Sequence, residues 1–460
     1  MKKKYSLRFW IVFWSVSTFF LFGWYFFLEL KRDGFDMISR TADFLPIPEE
    51  LKGDIDAVIS LADTLMVKDN EERTYLLLFQ NHWELRPGGG FIGSFGVLKV
   101  KNGFVQDISV HDTANFDGRI PSIITPPYPM ADTLGIDSWK LRDSNYSPDF
   151  PTNAKNALMF YEMGEGEEIF DGVVAITTNV LLSALEITGP VEIPGFPGKY
   201  GTENAIELLQ YQVEKGYVDQ GIKKGDRKVM LNDLAKAVLS QLGDLDISKK
   251  IQLARTSLDD LYSKDIQLYF KDEHLNDIVR SRSWGGSMDT TWKNDYLFVI
   301  DANLGALKTD RVVEREVSYV LDFTQERPKA VLTLSYTNNA KTKDWKTSDY
   351  QSYVRVYVPD GSWLESTEGV TNEVKYGNEF GKKYFGTLIH IPLHTTKTFV
   401  FKYDLPTFLD GEFYDLKIQK QAGLKDIPYR IEIIDEKSKK SVYEISLDRD
   451  IILSDTIDQE

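Results

Sequence analysis

Three arginines stand in settings that suit the binding of an anion. Arg86 lies in "ELRPGGGFIGSFG", residues 84–96, beside the consecutive glycines Gly88, Gly89 and Gly90. Successive glycines let backbone N–H groups turn inward as an anion-binding nest, and an adjacent guanidinium grips phosphate oxygens in pairs. The same glycines also suit a strand connection where two backbones pass closely. Arg142 lies in "LRDSNYSPDFP", residues 141–151, with Asp143, Asn145 and Asp149. Polar groups this dense, punctuated by Pro148 and Pro151, belong on a rigid loop. An arginine there can bind phosphate while the acids hold a divalent cation, or the loop can simply cap the next helix. Arg227 precedes Leu231 by four residues, on the inward face of a helix whose stripe is Leu231, Leu234, Val238 and Leu242. An inward guanidinium is costly unless it meets an anion or an internal carboxylate, and a helix N-terminus adds partial positive charge.

Other chemistries leave no trace. There is no Walker loop, GxSxG elbow or HExxH, and His82, His111, His274, His390 and His394 lack metal-ligand spacing. With zero cysteines, disulfides and thiolate catalysis are excluded, as suits an exported bacterial protein that folds without oxidative help. The first 32 residues carry six basic groups and one acid, so within the total of −16 the remainder sits near −21. Such an acidic exterior argues against nucleic acid as a partner.

Four segments must position the arginines. Residues 1–30 read as a cytoplasmic leader with Lys2, Lys3, Lys4 and Arg8, then a span without charge from Phe9 to Leu28. At about 1.5 Å per residue that run crosses a bilayer, and Trp24 to Phe27 stand where a cleaved signal would have small residues. The expectation is a single-pass anchor in the cell membrane, N-terminus cytoplasmic and the bulk extracellular. Residues 31–70 read as a helical stalk broken at "LPIP". Residues 71–310 alternate strands ("YLLLFQ", "FIGSFGVLKV", "GVVAI") with helices, which indicates an α/β (α+β) domain with helices on the faces of its sheet. Thr152 is the expected cap of the helix after the arginine-aspartate loop. Residues 311–460 hold seven strand-like runs separated by turn residues, which predicts a C-terminal β-sandwich with its boundary near Thr309.

"NHWELRPGGGFIGSFG", "LRDSNYSPDFPTNAKNALMFYE", "DGVVAITTNVLLSALEITGPVEIPG" and "DANLGALKTDRVVEREVSY" closely resemble the bacterial domain-of-unknown-function family DUF4012, over about residues 70–320. More distantly, the order of arginine loop, "RD" loop and "GDRKVMLNDLAKAVL" is similar to the LytR-CpsA-Psr family. Those are membrane-anchored extracellular phosphotransferases with a mixed sheet flanked by helices. They move a glycopolymer from a polyprenyl-phosphate lipid to the cell wall, with arginines on the pyrophosphate and acids on Mg²⁺. The resemblance implies catalytic roles for Arg86, Arg142, Asp143 and Arg227, phosphate contacts from Gly88, Gly89, Gly90, Asn145 and Asp149, and Mg²⁺ as cofactor. It also has gaps: Pro87 and Gly88 stand where the first motif has its acid, and "YQVEKGY" replaces the paired arginines before the late helix.

The expected function is therefore binding of a polyprenyl-phosphate-linked glycopolymer at the cell envelope, with transfer to the cell wall as the resemblance implies. The alternative is a non-catalytic surface or scaffold module that binds envelope partners through its β-sandwich. A hydrolase of envelope polymer would need paired carboxylates across a cleft, which no spacing reveals.

Overall fold

The computed structural model describes residues 52–454, apart from 55–56, 59, 62–68, 103, 224–229, 232, 235–236, 239–240, 242–244, 306 and 410–413. The expected anchor and most of the stalk lie outside the described residues. Among the described residues no helix is long and apolar enough to cross a membrane.

The first part of the chain builds a mixed five-stranded sheet from β1 (Glu72–Asn81), β2 (Phe91–Lys101), β3 (Phe104–Asp112), β4 (Gly172–Thr177) and β5 (Ile266–Phe270), in the order β3-β2-β1-β4-β5. β1 lies parallel to β4 and antiparallel to β2, while β5 lies antiparallel to β4. The unbroken apolar run in β1 follows from burial on both faces. Tyr75 and Leu77 face one core with Val174, Ile176, Leu261 and Trp284; Leu76 and Leu78 face another with Phe95, Phe150, Ala154 and Phe160. Helix α1 (Phe150–Met163) covers the second face. Helices α2 (Thr178–Thr188), α3 (Ala205–Tyr211) and α4 (Ile247–Tyr262) are joined by an apolar cluster running from Leu181 to Leu253. Helix α5 (Glu273–Ser281) lays Leu275 and Val279 on the first face. Ala57 and Leu61 join that same core, so the last described turns before β1 pack on the sheet rather than standing clear of it.

The remaining strands form two six-stranded sheets around one shared core. They are β6 (Asp295–Asn303), β7 (Val313–Asp322), β8 (Lys329–Asn338), β9 (Tyr350–Pro359), β10 (Trp363–Glu368), β11 (Lys375–Glu379), β12 (Lys382–Ile391), β13 (Thr395–Asp404), β14 (Asp415–Gln419), β15 (Ile427–Ile434), β16 (Lys440–Leu447) and β17 (Ile451–Ser454). One sheet runs β10-β13-β8-β7-β15-β16, the other β11-β12-β9-β6-β14-β17. Their inner faces meet through residues such as Leu297, Tyr319, Leu334, Val356, Phe385 and Phe401. The chain as a whole is thus mixed α+β with a β-rich C-terminal region. The strand-only region begins earlier than the boundary expected near Thr309. β6 is internal to its sheet, antiparallel to β9 and parallel to β14.

The glycine loop at 87–90 joins the two parts. Gly89 has φ +124° and Gly423, in the loop after β14, has φ +81°; a Cβ on Gly423 would overlap the Gly89 carbonyl. Two backbones cross there at a distance that no side chain permits. Around the crossing, Gln421 donates to the carbonyls of Arg86 (3.1 Å) and Asp301 (2.7 Å), and Asn303 N–H donates to the Leu85 carbonyl (3.0 Å). Asp310 accepts from Leu85 N–H at 3.0 Å and from Arg315 at 2.5 Å.

Two outcomes follow. A fragment of residues 311–460 lacks an internal strand and should give no cooperative thermal transition by circular dichroism, whereas 288–460 should show one. Gly423→Ala should lower the stability of the whole chain by well over the ~1 kcal/mol typical of a glycine site. Gly135→Ala is the control, because that glycine also has positive φ (+62°) but open space around it. Equal melting temperatures for the two variants would remove the crossing from its structural role.

Candidate functional site

Of the expected site residues that carry a charge and are described, Arg86 is the most deeply placed, at 2% exposed. Its Nε pairs with Asp143 at 3.1 Å, and Nη1 donates to the carbonyls of Asn303 (2.6 Å) and Leu85 (3.3 Å). Its charge is answered from within the protein. Two of the three glycine N–H groups are also engaged: Gly88 donates to the Asn145 carbonyl (3.0 Å) and Gly89 to that of Arg86 (2.9 Å). Asn145 in turn donates to the Gly90 carbonyl at 2.6 Å. Side chains on Gly88 or Gly90 would run into Asn153 and Asn145, or into the backbone of Asn81. Arg86 and the three glycines therefore form a packed joint rather than the expected wall of an anion site. Close backbone passage, the other reading of those glycines, is what the structure displays.

The second loop divides by residue. Asp143 is 4% exposed and is Arg86's partner. Asp149 caps α1, in place of Thr152: one carboxylate oxygen accepts from Thr152 N (3.0 Å) and Oγ1 (2.7 Å), the other from Met288 N (3.0 Å). Arg142 differs. Its side chain is 38% exposed and its Nε donates to the buried Asp117, leaving the two terminal nitrogens without a protein partner among the described residues. Burial pushes the Asp117 carboxyl above its ordinary value, while Arg142 pulls it back. Arg227 lies outside the described residues, so its convergence with Arg142 is not described.

Arg142 lines a cavity of about 540 Å³ on the first face of the mixed sheet. Ile108, Val110 and Ile176 form its floor; α2, α3 and the helical residues Leu231 and Leu234 close it from above. It opens where β1 and β4 end, the edge at which parallel sheets present ligands. The interior is mainly apolar, and polar groups gather at Arg142, Glu84, Lys308 and Gln80. Lys308 comes from the β-rich region and pairs with Glu84 at 2.9 Å and Glu214 at 3.9 Å. Gln80 is 1% exposed, and neither its amide nitrogen nor its oxygen has a hydrogen-bond partner among the described residues. Asp117 Oδ1 and Thr113 Oγ1 are similarly buried and unpartnered.

Among the described residues of this site a Mg²⁺ finds no donor set. Among the described residues no group of three His, Asp or Glu side chains could hold a metal. Asp143 is committed to Arg86, and Asp117 offers a single free oxygen. Sequence reasoning missed Asp117, Gln80 and Lys308. Asp117 lies in a five-residue helical turn, Thr113–Asp117, too short to show periodicity. Lys308 reaches the cavity only because a distant part of the chain folds over it.

Comparison with known proteins adds family but no activity. No curated protein matches the chain. The Lin1025 protein from Listeria innocua is 11% identical, with a TM-score of 0.28, covering 47% of this chain and 79% of that one. A putative nutrient-binding protein from Legionella pneumophila is 8% identical, with a TM-score of 0.23, covering 31% and 66%. Residues 70–213 match the family model described as "Protein of unknown function (DUF4012)", a shorter stretch than the resemblance expected.

Proposed function

We propose that the mixed α/β unit binds an amphiphile with a long apolar tail and a phosphate head, its tail in the 540 Å³ cavity and its head at Arg142. We read that amphiphile as a polyprenyl-phosphate-linked glycopolymer of the cell envelope, held by a protein whose N-terminal apolar segment anchors it to the membrane. The observation that carries the reading is the cavity, a mainly apolar space whose lining includes a guanidinium with two open donors. An apolar wall takes the tail without loss, since each buried CH₂ contributes about 0.8 kcal/mol. Terminal nitrogens with no partner can grip phosphate oxygens bidentately. Gln80 can donate from its amide to a head-group oxygen. A mixed sheet flanked by helices, with a ligand at its strand ends, is what the LytR-CpsA-Psr resemblance implies.

Binding is the core of the proposal. A transfer step draws no help from Arg86 or Asp143, whose charges satisfy each other at 3.1 Å. That pairing is the observation favouring the second reading, a non-catalytic scaffold module.

Calorimetric titration with geranylgeranyl diphosphate and with the headless alcohol geranylgeraniol separates the two. Arg142→Ala should weaken the diphosphate about tenfold or more, since a charged hydrogen bond contributes about 1.5–3 kcal/mol. Arg142→Lys should recover part of this, a point charge being a poor substitute for the fork. The alcohol should bind all three proteins alike. Absence of binding by both compounds to the wild-type chain would leave the scaffold reading in possession.

Val213 lines the same cavity. Val213→Trp should fill it and weaken diphosphate and alcohol together, with the melting temperature retained. Undiminished binding in a folded Val213→Trp protein would place the tail elsewhere.

A further inference from the structure

A second space, of about 720 Å³, opens between α1 with its preceding loop and the outer face of the sheet that holds β9, β11 and β12. It shares no lining residue with the apolar cavity. Its walls are aromatic. Tyr128, Trp139 and Tyr146 come from the first part of the chain, and Tyr353, Tyr376 and Tyr384 from the second.

Packing holds these rings in place. Tyr128 meets Tyr353 edge to face with centroids 5.5 Å apart, and Tyr146 O–H donates to the Tyr128 carbonyl at 3.0 Å. Trp139 Nε1 donates to the Asp143 carbonyl at 2.7 Å. Two strand glycines make room for tyrosines: a Cβ on Gly377 would overlap the ring of Tyr384, and one on Gly386 would overlap the hydroxyl of Tyr353. Glycine weakens a strand, so the sheet gives up stability to seat these rings. Tyr128 and Tyr376 nonetheless remain 52% and 57% exposed.

Charged groups sit among the rings. Arg355 is 5% exposed yet lines the space. It donates to the Tyr146 carbonyl (2.8 Å) and to the Tyr357 hydroxyl oxygen (3.0 Å), and lies 3.7 Å from Glu379, but its Nε has no partner among the described residues. A buried guanidinium with an unused donor is costly unless something polar arrives. At the lip, the two-residue turn between β11 and β12 is Phe380-Gly381, both in the left-handed region at φ +53° and +68°. Asn-Gly is the usual choice for such a turn, and a bulky residue at positive φ is strained. That strain sets Phe380 at the mouth of the space, and strain of this kind collects at ligand sites.

We propose that this cleft is a saccharide-binding site. A pyranose ring has an apolar C–H face and a rim of hydroxyl groups. The half-exposed rings of Tyr128 and Tyr376 match the first. The Arg355 guanidinium, the Glu379 carboxylate, the Asn156 amide and the tyrosine hydroxyls match the second. Lys375, paired with Glu373 at 2.7 Å, stands at the same wall and can turn to a sugar carboxylate in exchange for that partner. The space is open and wide enough for several sugar units and lacks the dry apolar interior that suits a lipid tail.

The test is affinity electrophoresis of the full chain with hexagalacturonate and with neutral cellohexaose as competing soluble ligands. At least one hexasaccharide should bind. Tyr376→Ala and Tyr128→Ala, both at exposed positions that a folded protein tolerates, should each weaken binding about tenfold. Lys375→Ala should weaken only the uronate. Neither sugar binding the wild-type chain, or undiminished binding in both tyrosine variants, overturns the proposal. So does capture of an extended peptide by the edge strand β11 with no sugar binding. Prenyl diphosphate binding is read at Arg142, so either site can fail without the other.

Discussion

Gly89 and Gly423 bring two backbones closer than side chains allow, and the polar groups around that crossing are cut off from water. Arg86 is 2% exposed, so the pair with Asp143 and the donations to Asn303 and Leu85 must all form at once. A buried ion pair of this type adds little net stability, because desolvation consumes most of the attraction. Its effect is on specificity. Any other orientation of the two regions leaves a guanidinium, a carboxylate and several amides unpaired at several kcal/mol. The joint therefore sets how the β-rich region lies on the mixed sheet. That placement brings Lys308 and Trp345 to the apolar cavity and Tyr353 and Arg355 to the aromatic cleft.

Much of the secondary structure was legible. Continuous apolar runs, "YLLLFQ" and "GVVAI", marked β1 and β4. Of the strands after residue 310, the four absent from the sequence reading are β10, β16, β11 and β17, the outer edges of both sheets. The reason is physical. An edge strand buries little, as in the pattern of Trp363–Glu368, where no residue is buried and nothing stamps a period of two on the sequence. β6 was read as a strand of the wrong region. Its neighbours β9 and β14 lie about 50 and 120 residues further along the chain, a separation that local pattern does not encode.

The site was less legible, because arginines in glycine-rich or proline-rich loops look alike in sequence. Arg86 and Arg142 both precede small or acidic residues, yet one ends at 2% exposed against Asp143 and the other at 38% side-chain exposure beside a cavity. What separates them is the location of their carboxylates. Asp143 sits next to Arg142 in sequence but serves Arg86 in space, and Arg142 takes Asp117 instead. Exchange of partners across 57 and 25 residues is a property of the fold alone.

The segment from Trp139 to Ser147 is the wall common to both spaces. Its single 3₁₀ turn, Leu141–Asp143, turns Arg142 to the cavity, while Trp139 and Tyr146 stand at the cleft. Coupling between two sites requires an element with two discrete arrangements. This wall has the opposite character: Asp143 is fixed by Arg86, Asn145 by the Gly90 carbonyl, and Asn153 both accepts from Ser147 N and donates to Ser147 O at 2.9 Å. A ligand spanning both spaces would thus meet a rigid divider that holds its anionic and saccharide parts at a fixed separation. The buried arginine expected to bind phosphate would act one step removed, by keeping that divider in place.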